Sequence, residues 1–244
     1  MRQIWKEGVN LWMSDRSLGV SPPPYESLNI AFHVGDKEEN VKRNLALALQ
    51  GAGMEKKRLF YLQQVHGTKI WEVDSSISGF PKEGDGLMTN DPNVVLLCMV
   101  ADCNPIALYD PKTRALALLH AGRAGVYKKI LTQAIHQMKN RYGSEALDLR
   151  VYVGPSIRGC CYEVGESIAR EFEGDSSLSM AVKRREERFY LHLIAPLLEE
   201  LKVLGVSEER ILVDEHCSAC DERFFSYRRE GITGRMGLFG SLEA

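Results

Sequence analysis

Two uninterrupted apolar runs, Val94–Val100 and Ala115–Leu119, constrain this chain more than any other feature. A strand with one wet face alternates apolar and polar residues, so a strand with no polar member must be covered on both faces. Further strand candidates are Arg58–Val65, Lys69–Val73, Leu149–Val153 and Ile211–Val213. Between them lie helical patterns. Asp36 is placed to cap a helix carrying Val41, Leu45, Ala48 and Leu49 on one face, stopped by Gly51. Val126, Ile130, Ala134, Ile135 and Met138 form a second stripe ending near Gly143, and a third runs from Leu193 to Leu204 with Pro196 in its first turn. Strands and helices that alternate in this way predict a layered α/β domain with mixed sheets.

The chain has 244 residues, within reach of one sheet-rich domain. No repeat or low-complexity linker divides it, and Ser21-Pro22-Pro23-Pro24 lies too near the start to do so, so one domain over residues 1–244 is expected. The formal charge is −2, which disfavours sequence-independent nucleic-acid binding but leaves room for a local cationic pocket. The N-terminal residues Met1–Glu7 have no apolar core or cleavage pattern, and no run approaches a membrane span. A cytoplasmic protein without membrane partners is therefore expected. Its six cysteines then read as core thiols, metal ligands or nucleophiles.

Three of these chemistry-bearing residues sit at the ends of apolar runs: His66, Cys103 and His120. Two imidazoles and a thiolate suit zinc, and three protein ligands leave a position open, the catalytic arrangement. They can converge only if their strands are neighbours; otherwise each is a rim histidine or a buried thiol. Asp102, beside Cys103, is placed for acid–base work or for capping a turn at Asn104-Pro105. Arg158, in Gly154-Pro155-Ser156-Ile157-Arg158-Gly159, is a candidate anion contact, and Arg228 in Phe225-Ser226-Tyr227-Arg228-Arg229 is another. The mixed charges of Ser176–Arg188 read as a solvated helix face or loop. Cys217-Ser218-Ala219-Cys220 has metal-knuckle spacing, but no second such pair completes it, because Cys160 and Cys161 are adjacent. The zincin helix, Walker loop, nucleophile elbow, dinucleotide fingerprint and deaminase zinc pattern are all absent.

Six segments in order carry a family resemblance: Gln64-Val65-His66-Gly67, Asp85-Gly86-Leu87-Met88-Thr89, Ala101-Asp102-Cys103-Asn104-Pro105, His120-Ala121-Gly122, Gly154 to Gly165, and Phe225 to Arg229. Across roughly residues 25 to 237 the chain resembles the laccase-domain, or YfiH-like, family, also called the polyphenol oxidase or purine nucleoside phosphorylase family. The resemblance implies a single-domain, four-layer α/β/β/α sandwich with zinc held by His66, Cys103 and His120. It implies phosphorolysis of purine nucleosides (adenosine, inosine, guanosine, methylthioadenosine), with adenosine deaminase activity also described. Older descriptions make members copper polyphenol oxidases, and some are assigned to editing peptidoglycan precursors, a reaction that Cys103 could serve as nucleophile. On this reading Asp102 handles protons, while Gln64, Arg228, Arg123 and Arg158 are the candidate substrate and phosphate contacts. A multicopper cluster would need more imidazoles than the remaining His33, His136, His192 and His216 offer, although copper would bind the His–Cys–His set adventitiously. The chain departs from the family at Arg123-Ala124, where Trp-Arg is common, and at Leu45 after Asn44, where Arg is common; with Ala124 in place of that Arg, a non-catalytic metal- or nucleoside-binding module is a further alternative.

Overall fold

The computed structural model describes residues Met1–Glu243. Its strands begin with β1 (Arg2–Trp5), β2 (Val9–Met13), β3 (Arg58–Phe60), β4 (Ile70–Glu72), β5 (Gly86–Thr89), β6 (Val94–Val100) and β7 (Asn104–Asp110). They continue with β8 (Ala115–Ala121), β9 (Arg150–Val153), β10 (Glu163–Val164), β11 (Val182–Arg185), β12 (Arg188–Leu191), β13 (Ile211–Val213) and β14 (Met236–Leu242). The helices are α1 (Glu38–Gly51), α2 (Arg123–Tyr127), α3 (Ile130–Tyr142), α4 (Glu166–Glu173), α5 (Ile194–Val203) and α6 (Tyr227–Glu230). None is long and apolar enough to cross a membrane.

The two apolar runs become β6 and β8, and each lies within a different sheet. One sheet has the order β1-β2-β14-β6-β3 and the other β13-β9-β7-β8-β5-β4, with a small third sheet, β10-β12-β11. Strand periodicity then sorts the side chains. Val94, Leu96, Cys98 and Val100 of β6 meet Leu116 and Leu118 of β8 in a core between the two large sheets. Val95, Leu97 and Met99 face the other way, onto Val41, Leu45 and Ala48 of α1. Ala115, Ala117 and Leu119 face a third core shared with α3 and α5. The layers are therefore helix, sheet, sheet, helix, the expected four-layer α/β/β/α sandwich.

Several local expectations are corrected. The predicted strand over Arg58–Val65 is continuous only as far as Phe60, and its remainder, with a single bridge from Gln63 to Glu83, loops toward the site. Asp36 does not cap the first turn of α1; it accepts from Lys37 N, Ser21, Asn29 and Asn40, and Lys37 takes the cap position. The second stripe is broken in two by Lys129, which has φ 59°. Part of the charged Ser176–Arg188 stretch is a hairpin, β11–β12, whose arginines pair with Glu173 and Glu163.

Candidate active site and metal centre

His66, Cys103 and His120 converge because β7 and β8 pair antiparallel. Asn104 lies opposite Ala121 and Pro105 opposite His120, which sets Cys103, one residue earlier, at the open end of β8. His120 shares the face of Leu116 and Leu118, so it closes the core between the sheets and is 5% exposed. His66 arrives from the loop after β3. One ligand atom from each of the three lies within 4.8 Å of the others. Zinc bonds of about 2.0–2.3 Å at tetrahedral angles require ligand separations inside that span, so the donor set fits such an ion. Gly122 keeps the space clear: a Cβ there would lie 2.9 Å from both Cys103 Sγ and His66 Cδ2.

Asp85, which sequence reasoning left without a role, organises the centre. It is 1% exposed. Its Oδ1 accepts from His66 N at 2.9 Å and lies 2.8 Å from His120 Nδ1, while Oδ2 accepts from Gly67 N at 2.6 Å. An ionised carboxylate only accepts, so the imidazole proton sits on Nδ1 and Nε2 is left as the ligand atom. The same bonds hold His66 at φ 58°, a conformation costly for a residue with a Cβ. Burial would raise the Asp85 pKa, but the His120 ring and these N–H donors outweigh it and hold the carboxyl below its ordinary value. Burial likewise opposes ionisation of Cys103, yet the facing His120 and His66 rings bring its thiol down to about 6. His120 in turn is raised to about 9 against burial, chiefly by the Cys103 thiolate and Asp85. Without a metal, the pair is thus a thiolate facing an imidazolium.

His66, Cys103 and His120 form part of the wall of a cavity of about 370 Å³, a size suited to a small molecule. Asp102 also lines it, at φ 95°. Its Oδ1 accepts from Ser218 Oγ and Ser226 Oγ, both at 2.7 Å, and its Oδ2 from Arg228 N at 2.7 Å. Arg228 reaches the cavity wall with Nη1 donating 2.8 Å to Glu163 O and its guanidinium over the Tyr162 ring. Arg123 lines the cavity too, 3.5 Å from Glu171. Arg235 is a third cation there that sequence reasoning missed; nothing in its Thr-Gly-Arg setting marks it. Gln64 lines the cavity, but its amide is committed to Met99, accepting from N at 2.8 Å and donating to O at 2.7 Å. Arg158 is not brought to the cavity. It is 8% exposed, and its guanidinium donates to Ser156 Oγ and the carbonyls of Gly154 and Asp214, bracing the loop it was expected to aim outward.

The expectation that Cys217 and Cys220 lack partners is also corrected. Adjacent in sequence though they are, Cys160 and Cys161 sit opposite them, and all four sulfurs lie within 4.8 Å of one another.

A family model described as multi-copper polyphenol oxidoreductase laccase matches residues 10–243. A Mycobacterium tuberculosis protein named purine nucleoside phosphorylase is 33% identical over 220 residues, 90% of this chain and 86% of its own. A Haemophilus influenzae protein of the same name is 31% identical over 94% of this chain and 93% of its own. Among solved structures, YlmD from Geobacillus stearothermophilus superposes with TM-score 0.92 at 29% identity, covering 98% of this chain and 93% of that one. A YfiH protein of Bacillus licheniformis does so with TM-score 0.91, also at 29% identity, over 96% and 93%. With its layers and nearly all its length in common with these proteins, the chain belongs to the laccase-like, YfiH family.

Proposed function

We infer that this protein is a zinc-dependent purine nucleoside phosphorylase, cleaving a nucleoside with phosphate to the free base and a sugar 1-phosphate. The observation that carries the reading is the His66–Cys103–His120 set at the wall of a nucleoside-sized cavity that also holds Arg123, Arg228 and Arg235. Zinc bound there would supply a Lewis acid to polarise an oxygen of substrate or phosphate. The arginines concentrate positive charge where an anionic nucleophile must sit, on a protein that is negative overall. Tyr162, steadied by Arg228, offers a ring face for a purine. Asp102 Oδ1 already accepts two hydroxyls, but Oδ2 accepts only one N–H, so it keeps an acceptor position for a proton at the base. Relatives named as purine nucleoside phosphorylases support the same reaction.

The competing copper oxidase reading meets a shortage of ligands. His136 lies on α3 and His216 is bonded to Asp214, and neither joins a metal-ligand group among the described residues. A cysteine hydrolase has one point in its favour, the ionised Cys103 thiol. The test is metal-quantified protein incubated with inosine or adenosine, with and without phosphate. Base release that requires phosphate is expected. Ammonia without phosphate would make it a deaminase, and no turnover with zinc bound would overturn the reading.

A further inference from the structure

The four remaining clustered cysteines form a second centre. Cys161 Sγ lies 3.2 Å and Cys160 Sγ 3.5 Å from Cys220 Sγ, with Cys217 in the same group. A disulfide brings two sulfurs to about 2.05 Å. Four thiolates around one zinc ion, with bonds of about 2.3 Å at tetrahedral angles, lie about 3.8 Å apart. The observed separations, with all four sulfurs within 4.8 Å of one another, lie nearer the second geometry than the first. The backbone is also shaped for it. Cys217–Cys220 is a tight turn, with Cys220 N and Asp221 N both donating to Cys217 O, at 3.1 and 3.0 Å. Arg158 N points at Cys217 Sγ from 3.4 Å. Arg229 donates to the carbonyls of Ser218 and Ala219, so cationic charge lies close to the thiolates.

We propose that Cys160, Cys161, Cys217 and Cys220 bind one zinc ion as a structural tetrathiolate site, distinct from the His66–Cys103–His120 centre. Its role is to fasten two loops that build the wall of the cavity. Ser218, within the knuckle, donates to Asp102. Cys161 and Glu163 offer their carbonyls to Arg228, and Tyr162 stands between them. The loops also touch through the Ser156–Cys217 bridge, the Ser218 N to Ser156 O bond and the Arg158 guanidinium on Asp214 O. A closed four-sulfur site takes no part in chemistry, which suits a place beside the cavity rather than in it.

The experiment counts metal in the full chain, prepared anaerobically under reductant and reconstituted with zinc. Two ions per chain are expected. The double change Cys217→Ser and Cys220→Ser should leave one, and so should His66→Ala with Cys103→Ser. Should the serine variant fail to fold, two readouts on the wild-type chain decide instead. Cobalt in place of zinc should give thiolate charge-transfer absorption in proportion to five thiolates rather than one. The four thiols should also resist alkylation until a chelator is added. One zinc per chain with a single-thiolate cobalt spectrum would overturn the site. So would thiols that label only after reduction, which would make them disulfides.

Discussion

His120 can present only one ring nitrogen to a ligand, because Asp85 occupies the other. The same carboxylate gathers the N–H groups of His66 and Gly67. Replacing it with Asn puts an amide NH₂ where at least one of those donors or the imidazole N–H now points. Metal affinity of Asp85→Asn should fall about 10–100-fold, the usual cost of losing a carboxylate behind a metal-binding histidine. Competition against a chromophoric chelator measures it; unchanged affinity would remove Asp85 from the centre. Cys103 gives a second prediction. Its thiol, down to about 6, is deprotonated above that pH, so the metal-free protein should alkylate at Cys103 with a midpoint near 6. An ordinary cysteine would label with a midpoint of about 8.5. His120→Gln removes the facing imidazolium and should move the midpoint upward, which pH-dependent labelling with peptide mapping would detect.

At the scale of elements, β8 carries the fold and the site together. Its inward residues are Leu116, Leu118 and His120, two for the core and one for the candidate metal centre. Leu118→Ala should destabilise the protein by about 2–5 kcal/mol, the range for large-to-small changes in a tight core. A urea unfolding midpoint reads this, and a loss well below that range would mean the two sheets close over the gap. Because β6 is apolar throughout and β8 is apolar from Ala115 to Leu119, both were legible from sequence, and so were Cys103 and His120 near strand ends. β7 was not, since Asn104-Pro105 reads as a turn; here the proline falls at the start of the strand, where a missing donor is tolerated. Asp85 stands in one of the six family segments, but its role was not legible, for a different reason. Its partners come from Val65–Gly67 and from β8, and nothing local to Asp85-Gly86 announces either. The two cysteine pairs likewise meet only through the fold, so spacing along the chain could not join them. Arg158 fails in the opposite sense: a loop that looks built to hold an anion uses its arginine to hold itself.

On the scale of the whole molecule, the layered architecture leaves one end of the inter-sheet core to be finished by loops rather than strands. Such ends are where a rigid scaffold can display polar groups without losing backbone pairing. Here the start of α2, the short α6 and the residue before β14 bring three arginines, Arg123, Arg228 and Arg235, to one cavity on a chain whose formal charge is −2. The field there is local, so binding of a small anion should depend on individual guanidinium groups. Arg228 is the best placed, because Glu163 O and the Tyr162 ring fix its guanidinium while its own N–H fixes Asp102. Arg228→Ala keeps that backbone N–H and removes only the side chain. If phosphate is the second substrate, KM for phosphate should rise about 10–100-fold, the equivalent of the roughly 1.5–3 kcal/mol that a hydrogen bond to a charged group contributes. Arg228→Lys should recover part of it, because an ammonium keeps the charge but not the planar fork. Steady-state kinetics with phosphate and inosine varied separately would distinguish the two cases. A rise confined to phosphate assigns Arg228 to the anion, whereas an equal rise in both constants would mean that its side chain serves only to hold the Cys161–Glu163 loop in place.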